Sequence, residues 1–157
     1  METRIRPFQK RDTRQVAGLI VRTFRKFNGR EYFTRGTTPR YLDQYDPKKN
    51  PIARLYEGFS KTPIFYVAVE GKKVVGMIRG NRLAIGNLFV DGKRHRSGIG
   101  RRLVERFEKR AKRSKSKQVK VRSTIYAAPF YKAVGFRRTG GIRNFKGHKM
   151  QPMRKKL

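Results

Sequence analysis

Apolar residues recur at helical spacing in three segments of the chain, which predicts three amphipathic helices. The first segment lies between Asp12 and Asn28, the second follows Asn50-Pro51, and the third follows Gly98. Their apolar positions are Val16, Leu19, Ile20, Phe24 and Phe27; Ile52, Leu55, Tyr56 and Phe59; and Ile99, Leu103, Val104, Phe107 and Ala111. Two shorter helices are predicted over residues 40–45 and 127–134.

Three sequence signals mark the ends of the first two long helices. Asp12, with Gln15 three residues later, matches a capping box. Asn28-Gly29 is typical of a helix end, because glycine adopts the left-handed conformation at little steric cost. Asn50 before Pro51 predicts a helix that Asn50 caps, with the proline at its first position.

Short runs rich in β-branched and aromatic residues predict the strands. These runs cover residues 3–8, 64–70, 73–79, 83–90, 118–123, 136–139 and 148–153. Gly71 turns the chain between the second and third runs, so those two and the next form an antiparallel meander. Pro7 cannot donate to a strand ladder, which favours an edge position for the first strand. Mixed strands and helices over this length predict one α/β domain spanning residues 1–157.

The most specific pattern is a short loop between a strand and the third long helix. Residues 88–90 are apolar, the loop ends in Gly98-Ile99-Gly100, and the helix begins there. The first backbone N–H groups of a helix have no partners inside it, and the helix dipole adds positive potential. Glycine also lets a ligand approach the backbone closely. The segment therefore predicts an anion-binding site suited to a diphosphate.

The charge of the chain lies far outside the usual range. Lys and Arg number 42 and Asp and Glu number 10, which gives a net charge of +32. A net charge of roughly 2–8 is usual for a small soluble domain. Such an excess favours sequence-independent association with nucleic acid or another polyanion. It also argues against tight self-association, so we expect a monomer or a weak dimer.

The basic residues are spread over nearly every segment and are not confined to one face or tail. The helix after Gly100 carries like charges four residues apart, at Arg102 and Arg106 and at Lys109 and Arg113. Each such pair costs roughly 0.2–0.5 kcal/mol. This distribution favours an engineered, positively supercharged version of an ordinary parent, and a naturally basic protein is the alternative.

The composition excludes several classes of site. The chain has no Cys, so disulfides and thiolate metal ligands are ruled out. His148 has no second histidine or acidic cluster near it in the sequence, and no metal site is expected. The sequence shows neither a signal-peptide pattern nor an apolar run long enough to span a membrane. We therefore expect a cytoplasmic protein without membrane insertion.

Two motifs in a fixed order resemble those of the GNAT superfamily of N-acetyltransferases. Gly98-Ile99-Gly100 comes first, and Phe-Tyr-Lys-Ala-Val-Gly-Phe at residues 130–136 follows after a helix and a strand. The resemblance covers nearly the whole chain. It implies a mostly antiparallel, twisted sheet with a V-shaped splay and about four helices on its two faces. It also implies transfer of an acetyl group from acetyl-CoA to a primary amine of a small molecule or peptide.

The resemblance also implies which residues contact acetyl-CoA. The positions around the glycine loop are His95, Arg96, Ser97, Gly98, Ile99, Gly100 and Arg101. His95 stands where the family most often has Arg or Gln, although the main binding groups there are backbone N–H groups. Phe89 and Val90 would pair their backbone with the pantetheine arm like an added strand. Thr124 matches a polar position that touches CoA.

Tyr131 matches the family's tyrosine that protonates the departing CoA thiolate after direct attack by the amine. The chemistry is reasonable because a tyrosine of ordinary pKa, about 10, is protonated at neutral pH and can donate. The alternative is a packing role, since Phe130 and Phe136 flank it in the motif. The glycines likewise have a plainer interpretation as turn residues at a helix start.

The sequence does not single out a general base or an acceptor. No acid lies between Leu83 and Val90, and Asn87, Glu70 and Glu31 are the only polar candidates. The acceptor side of the family is usually shaped by the first two helices and their loop, here residues 27–59. That segment holds the acids Glu31, Asp43, Asp46 and Glu57, and in so basic a chain we expect retained acids to matter structurally or functionally.

Two functions follow from these patterns. The first is acetyl-CoA-dependent N-acetylation, for which a cationic surface disfavours polyamine or aminoglycoside acceptors unless the cleft is locally acidic. The second is polyanion or nucleic-acid binding on the same scaffold, with little or no catalysis, and it rests on the net charge of +32.

Overall fold

The computed structural model describes residues 2–28 and 37–157, which contain five α-helices and eight strands. The helices are α1 (Thr13–Phe27), α2 (Thr37–Asp43), α3 (Ile52–Ser60), α4 (Ile99–Arg113) and α5 (Ala128–Ala133). The strands are β1 (Thr3–Pro7), β2 (Ile64–Glu70), β3 (Lys73–Asn81), β4 (Ala84–Val90), β5 (Gln118–Thr124), β6 (Arg137–Arg138), β7 (Arg143–Phe145) and β8 (His148–Lys156).

All eight strands belong to one mixed sheet. Its order is β1-β2-β3-β4-β5-β8-β6, and β7 pairs with the other part of β8. Every pairing is antiparallel except that between β4 and β5. The predicted meander is therefore confirmed as β2-β3-β4, and β1 lies at the edge that Pro7 favours. The fold class expected from the sequence is confirmed, with five helices in the described ranges where about four were expected.

The sheet opens at its centre, where β4 meets β5. These two strands pair only through Ala84 with Lys120 and Ile85 with Val121. Beyond Ile85 the strands diverge, so the rest of β4 has a partner on its β3 side alone. This is the expected V-shaped splay, and it leaves room between two strands for an extended ligand.

Each face of the sheet has its own core. On one face, α4 packs Leu103 and Phe107 against alternate residues of β2 and β3. On the other face, α1 contributes Leu19 and Ile20, and α3 contributes Phe59. Because both faces are covered, β2 is buried along nearly its whole length, which explains why its sequence is a continuous apolar run without alternation.

The predicted capping box at the start of α1 is wrong. Asp12 makes no side-chain cap on α1; its carboxylate accepts the Gln9 N–H at 2.8 Å and pairs with Arg6 at 2.7 Å. The side chain of Gln15, the expected partner of Asp12, accepts the N–H of Val74 in β3 at 2.8 Å. Asp12 therefore bonds to residues before the helix and Gln15 to a distant strand, and neither makes the cap that the spacing suggested.

Other boundaries differ by a few residues. Pro51 occupies the cap position of α3, and the Asn50 side chain donates to the carbonyl of Asp43 at 2.6 Å. Helix α2 begins at Thr37, whereas the sequence predicted a start at residue 40. Pro39 lies in its first turn, where proline is tolerated. The three-residue strand β7 was not predicted. Gly29 and Glu31 lie outside the described residues.

Six acids of the described chain form ion pairs. The pairs are Asp12–Arg6, Asp43–Lys49, Glu57–Lys61, Glu70–Arg94, Glu108–Lys155, and Asp91 with both Arg22 and Lys73. Asp46 instead accepts the backbone N–H of Lys48 at 2.8 Å. The acids expected to matter therefore have structural partners wherever they are described. Within the same ranges, no helix is both long and apolar enough to cross a membrane.

Candidate active site

A large cleft occupies the gap between β4 and β5. Its volume is about 1970 Å³, and its walls come from β4, β5, the start of α4, α5 and the end of α1. The cleft reaches from the glycine loop on one side to the aromatic residues of α1 and α2 on the other. All the residues that the family resemblance assigns to acetyl-CoA line it, except Ser97.

Gly98 shapes the start of α4. It is the N-cap of the helix and has a φ of 84°, in the left-handed region that favours glycine. A Cβ added at Gly98 would meet no atom within 4 Å, so open space faces this position. The unpaired N–H groups of the first turn of α4 follow directly. The backbone is therefore accessible where the sequence predicts an anion.

Gly100 is required for a different reason. A Cβ at this position would lie 3.0 Å from Cε1 of Phe130 and 3.2 Å from its Cζ. The absence of a side chain thus lets α5 pack closely on the first turn of α4. Because Phe130 precedes Tyr131 in α5, this glycine couples the anion-binding loop to the tyrosine.

Ion pairs hold both ends of the loop before Gly98. Asp91 accepts the Lys93 N–H at 3.0 Å and pairs with Arg22 at 3.3 Å. Burial raises the pKa of Asp91, but the hydrogen bond from Lys93 and the nearby cations outweigh it and lower the pKa overall. Arg94 binds Glu70 through two nitrogens, at 3.0 and 2.8 Å, and this hydrogen bonding lowers the pKa of Glu70.

His95 points back toward β4. Its Nε2 lies 2.8 Å from the carbonyl oxygen of Val90, and since a carbonyl only accepts, Nε2 carries the proton. The ring also packs on Phe27, with centroids 4.6 Å apart. His95 therefore fixes the loop against the strand and occupies one of the backbone acceptors of β4.

The direction of the β4 backbone follows from its pairing with β3. The Asp91 N–H donates to the Val75 carbonyl at 2.8 Å, and Phe89 stands opposite Met77 two residues earlier. Backbone groups alternate in direction along an antiparallel strand. Those of Phe89 therefore face β3, whereas those of Leu88 and Val90 face β5 and the cleft. The ring of Phe89 is buried in the core beneath α1.

Arg96 and Arg101 both line the cleft, and neither has an ion-pair partner among the described residues. Arg96 has a φ of 62°, a strained value for a residue with a side chain. Arg101 lies near the end of α5, with Nη2 3.5 Å from the Ala133 carbonyl. Ser97 donates its hydroxyl to the Arg94 carbonyl.

Tyr131 lies in α5, the helix that packs on the first turn of α4 through Phe130. Its side chain is 4% exposed and packs between Phe130 and Phe136, each with a centroid distance of 5.3 Å. Burial raises the pKa of Tyr131, so its hydroxyl keeps its proton well above neutral pH. Thr124 accepts the Ala127 N–H at 3.1 Å through its hydroxyl oxygen, which fixes the turn that leads into α5.

The other end of the cleft is aromatic and polar. Asn87 of β4 donates to the Tyr41 hydroxyl at 3.2 Å and accepts from Arg79 at 2.7 Å. His148 is buried between the rings of Phe24 and Tyr41, and its Nε2 has no hydrogen-bond partner among the described residues. Burial lowers the pKa of His148, which favours the neutral imidazole.

Sequence reasoning named Asn87 but neither Arg79 nor Tyr41. The sequence signal for Arg79 is a charged residue directly after the apolar run of β3. In the structure this residue is half buried. Glu70, a sequence candidate for the base, lies outside the cleft and is bound to Arg94. In the described ranges, no cluster of His, Asp or Glu suits a metal ion.

Comparisons with known proteins agree with this architecture. The family model for the acetyltransferase (GNAT) domain matches residues 43–157. A GCN5-related N-acetyltransferase from Rhodopseudomonas palustris superposes with a TM-score of 0.78 at 18% identity, covering 100% of this chain and 97% of that one. No curated protein matches the sequence significantly.

Two neighbours were solved with coenzyme A. One is the PaiA N-acetyltransferase of Thermoplasma acidophilum, with a TM-score of 0.76 and 16% identity over 100% of both chains. The other is an aminoglycoside 6'-N-acetyltransferase, with a TM-score of 0.72 and 16% identity over 98% of this chain and 96% of that one. The family match covers most of the chain, and the protein therefore belongs to the GNAT family of acetyltransferases.

Proposed function

We propose that this protein transfers the acetyl group of acetyl-CoA to a primary amine. The observation that carries the proposal is a single cleft that is lined both by an accessible helix N-terminus at Gly98 and by the buried side chain of Tyr131. The CoA-bound neighbours support the same ligand. Acetyl-CoA supplies the acetyl group as a thioester.

The cofactor would be held mainly by backbone groups. The N–H groups that follow Gly98 in the first turn of α4 would bind the diphosphate. Arg96 and Arg101 would neutralise its charge, and Ser97 and His95 would keep the loop in shape. The residues present fit a diphosphate, because the left-handed Gly98 leaves open space beside these N–H groups.

The pantetheine arm would lie along β4 as an added strand. Since the backbone groups of Leu88 and Val90 face the cleft, we assign them the pairing that the sequence placed at Phe89 and Val90. The Val90 carbonyl is already bound to His95, so the Val90 N–H is the group available there. Thr124 would border the arm from the β5 side.

Tyr131 would act as the general acid. The neutral amine attacks the thioester carbonyl directly, and the C–S bond breaks as the tetrahedral intermediate collapses. The Tyr131 hydroxyl donates its proton to the departing sulfur, and the proton that the attacking nitrogen loses passes to solvent, from which Tyr131 is reprotonated. Burial suits this role because it raises the pKa of Tyr131 and keeps the donor protonated.

The electrostatics of the cleft favour a neutral acceptor amine, so a dedicated base is not required to deprotonate it. Among the described residues that line the cleft, eleven are Lys or Arg and none is Asp or Glu. Positive surroundings lower the pKa of a bound ammonium group, which favours the neutral amine that attacks. This explains how acetyl transfer can proceed without a carboxylate on β4.

Calorimetric titration of CoA into the full chain at moderate salt tests the site. We expect binding by the wild type, loss of binding in Gly98→Trp, and retained binding in Gly98→Ala. The alanine variant shares the backbone strain, which costs about 1–2 kcal/mol, but leaves the space open. Absence of heat in the wild type, or equal binding by Gly98→Trp, would contradict the proposal.

A further inference from the structure

Arg79 is a cation in the cleft without a carboxylate partner in the described chain. It lies in β3, opposite Asn87 of β4, away from the glycine loop. The ion pairs of the described residues involve other cations. Its contacts are all neutral, which is unusual because a half-buried charge is normally compensated by an opposite one.

Three hydrogen bonds fix the position of the guanidinium. Nε donates to Oδ1 of Asn87 at 2.7 Å, Nη2 to the Tyr45 hydroxyl at 2.9 Å, and Nη1 to the Thr62 hydroxyl at 3.1 Å. A guanidinium has five N–H donors. One N–H on each terminal nitrogen is thus left for a further acceptor.

Aromatic rings hold the same group from the side. The guanidinium carbon lies 5.0 Å from the ring centroid of Phe59 and 5.6 Å from that of Tyr45. These rings and the three hydrogen bonds orient Arg79 before any ligand arrives. A preorganised guanidinium is well suited to a planar or tetrahedral oxyanion, which it binds through two N–H groups.

The charges around the cleft point to the same ligand class. Three of its cations, Arg94, Arg96 and Arg101, belong to the glycine loop, whereas Arg79 lies near Tyr41 and Tyr45 at the other end. The described part of the cleft lining contains no Asp or Glu, which opposes a polycationic acceptor. An acceptor with its own negative group would instead compensate Arg79.

We propose that the acceptor is a primary amine that also carries an anionic group, a carboxylate or a phosphate, and that Arg79 binds this group. The inference rests on the proposed acetyl transfer and adds the acceptor class to it. Arg79 is then a specificity-determining residue, and the hydrogen bonds from Asn87, Tyr45 and Thr62 serve to position it.

Matched pairs of amines test the proposal by calorimetry with the CoA-saturated full chain. L-phenylalanine is compared with L-phenylalaninamide, and O-phosphoethanolamine with ethanolamine. CoA replaces acetyl-CoA, so the titrations report binding alone. We expect the anionic member of at least one pair to bind roughly tenfold more tightly or better. The pair that shows the preference identifies carboxylate or phosphate as the anion.

Two variants separate Arg79 from the general charge of the protein. Arg79→Gln should lose the preference, whereas Arg82→Gln, which removes an equal charge from an exposed position outside the cleft, should keep it. Arg79→Lys retains the charge and should keep part of the preference if Arg79→Gln does not fold. The wild-type comparison itself needs no variant.

Equal binding of the anionic and neutral members in both pairs would overturn the proposal. So would a preference that survives in folded Arg79→Gln. The titrations are repeated without CoA, so that the two proposals can fail separately. A protein that binds no CoA but still prefers the anionic amines through Arg79 would contradict the acetyl transfer and leave the anion site intact.

Discussion

Tyr131 combines packing and chemistry in one side chain. Its ring is part of the core beneath α4 and α5, where Phe130 and Phe136 surround it. Both roles offered by the sequence are therefore compatible, since Tyr131 packs in the core and also lines the cleft. The packing makes the proton donor rigid, which is an advantage for a group that must meet a sulfur atom.

Tyr131→Phe separates the two roles. We expect kcat for acetyl transfer to fall by about 10²-fold or more, with little change in Tm or in the Kd for CoA, because the ring remains. Burial raises the pKa of Tyr131, so the contribution of its hydroxyl should persist from neutral to mildly alkaline pH. Steady-state rates of both proteins over this range provide the measurement. Unchanged rates would remove Tyr131 from the mechanism.

At single residues, the sequence predicted positions better than contacts. Gly98, Gly100 and Tyr131 could be found because motif spacing places them at fixed points of a strand, a turn and a helix. The partners of His95 and Arg79 could not, because they depend on the direction that each side chain takes. His95 lies 2.8 Å from the Val90 carbonyl oxygen and Arg79 donates to Asn87, its neighbour on β4, and motif spacing specifies neither contact.

At the level of elements, the close approach of α4 and α5 matters most for the site, because α5 carries Tyr131. Gly100 permits it, and the length of contact between the two helices is short because α5 has only six residues. A small displacement of α5 would therefore move Tyr131 relative to the cleft. For an alanine at Gly100, helix propensity predicts a gain in stability, whereas packing against Phe130 predicts a loss.

Gly100→Ala decides between them. Propensity alone would stabilise α4 by about 1 kcal/mol, but the added Cβ would lie 3.0 Å from the Phe130 ring and displace it. We expect no gain in Tm and a kcat that falls more than CoA affinity. Adding Phe130→Leu to Gly100→Ala should restore part of kcat by relieving the contact.

Gly18→Ala in α1 is the matched control, because a Cβ there meets nothing within 4 Å. It should raise the free energy of unfolding by up to about 1 kcal/mol without altering kcat. If Gly100→Ala behaves like Gly18→Ala in thermal melts and in activity, the coupling of the loop to Tyr131 through Phe130 is refuted.

Element boundaries followed the strength of the local pattern. Residues 64–70 were predicted without error, since Pro63 and Gly71 delimit a run that is apolar or aromatic up to Glu70. The last strand continues to Lys156, three residues beyond its predicted end, because its pairing with β5 extends it through basic residues. The three residues of β7 depend on β8 for their pairing, so their own sequence is uninformative.

For the whole molecule, charge is the dominant property. Six of the acids are in ion pairs, and the remaining excess of Lys and Arg is spread over helices, strands and loops. Asp91 and Glu70 hold the loop before Gly98, and Glu108 joins α4 to β8 through Lys155, so these three acids tie separate segments together in a chain of +32.

We expect this surface to bind double-stranded DNA without sequence preference. The affinity should fall steeply as salt rises, because binding releases counterions from the phosphates. Fluorescence anisotropy with two duplexes of unrelated sequence, at low and at physiological salt, provides the measurement. Strong preference for one duplex at high salt would contradict a purely electrostatic interaction. Saturating CoA should leave the affinity nearly unchanged if the contact is spread over the surface.

The two residue pairs between β4 and β5 have a mechanical consequence. Because so few residue pairs join the two halves of the sheet, the backbone hydrogen bonds between β4 and β5 constrain the angle between the halves only weakly. Leu103 and Phe107 of α4 belong to the same buried core as Val119 and Val121 of β5. We expect the volume of these core side chains to affect how wide the groove between the two halves of the sheet opens.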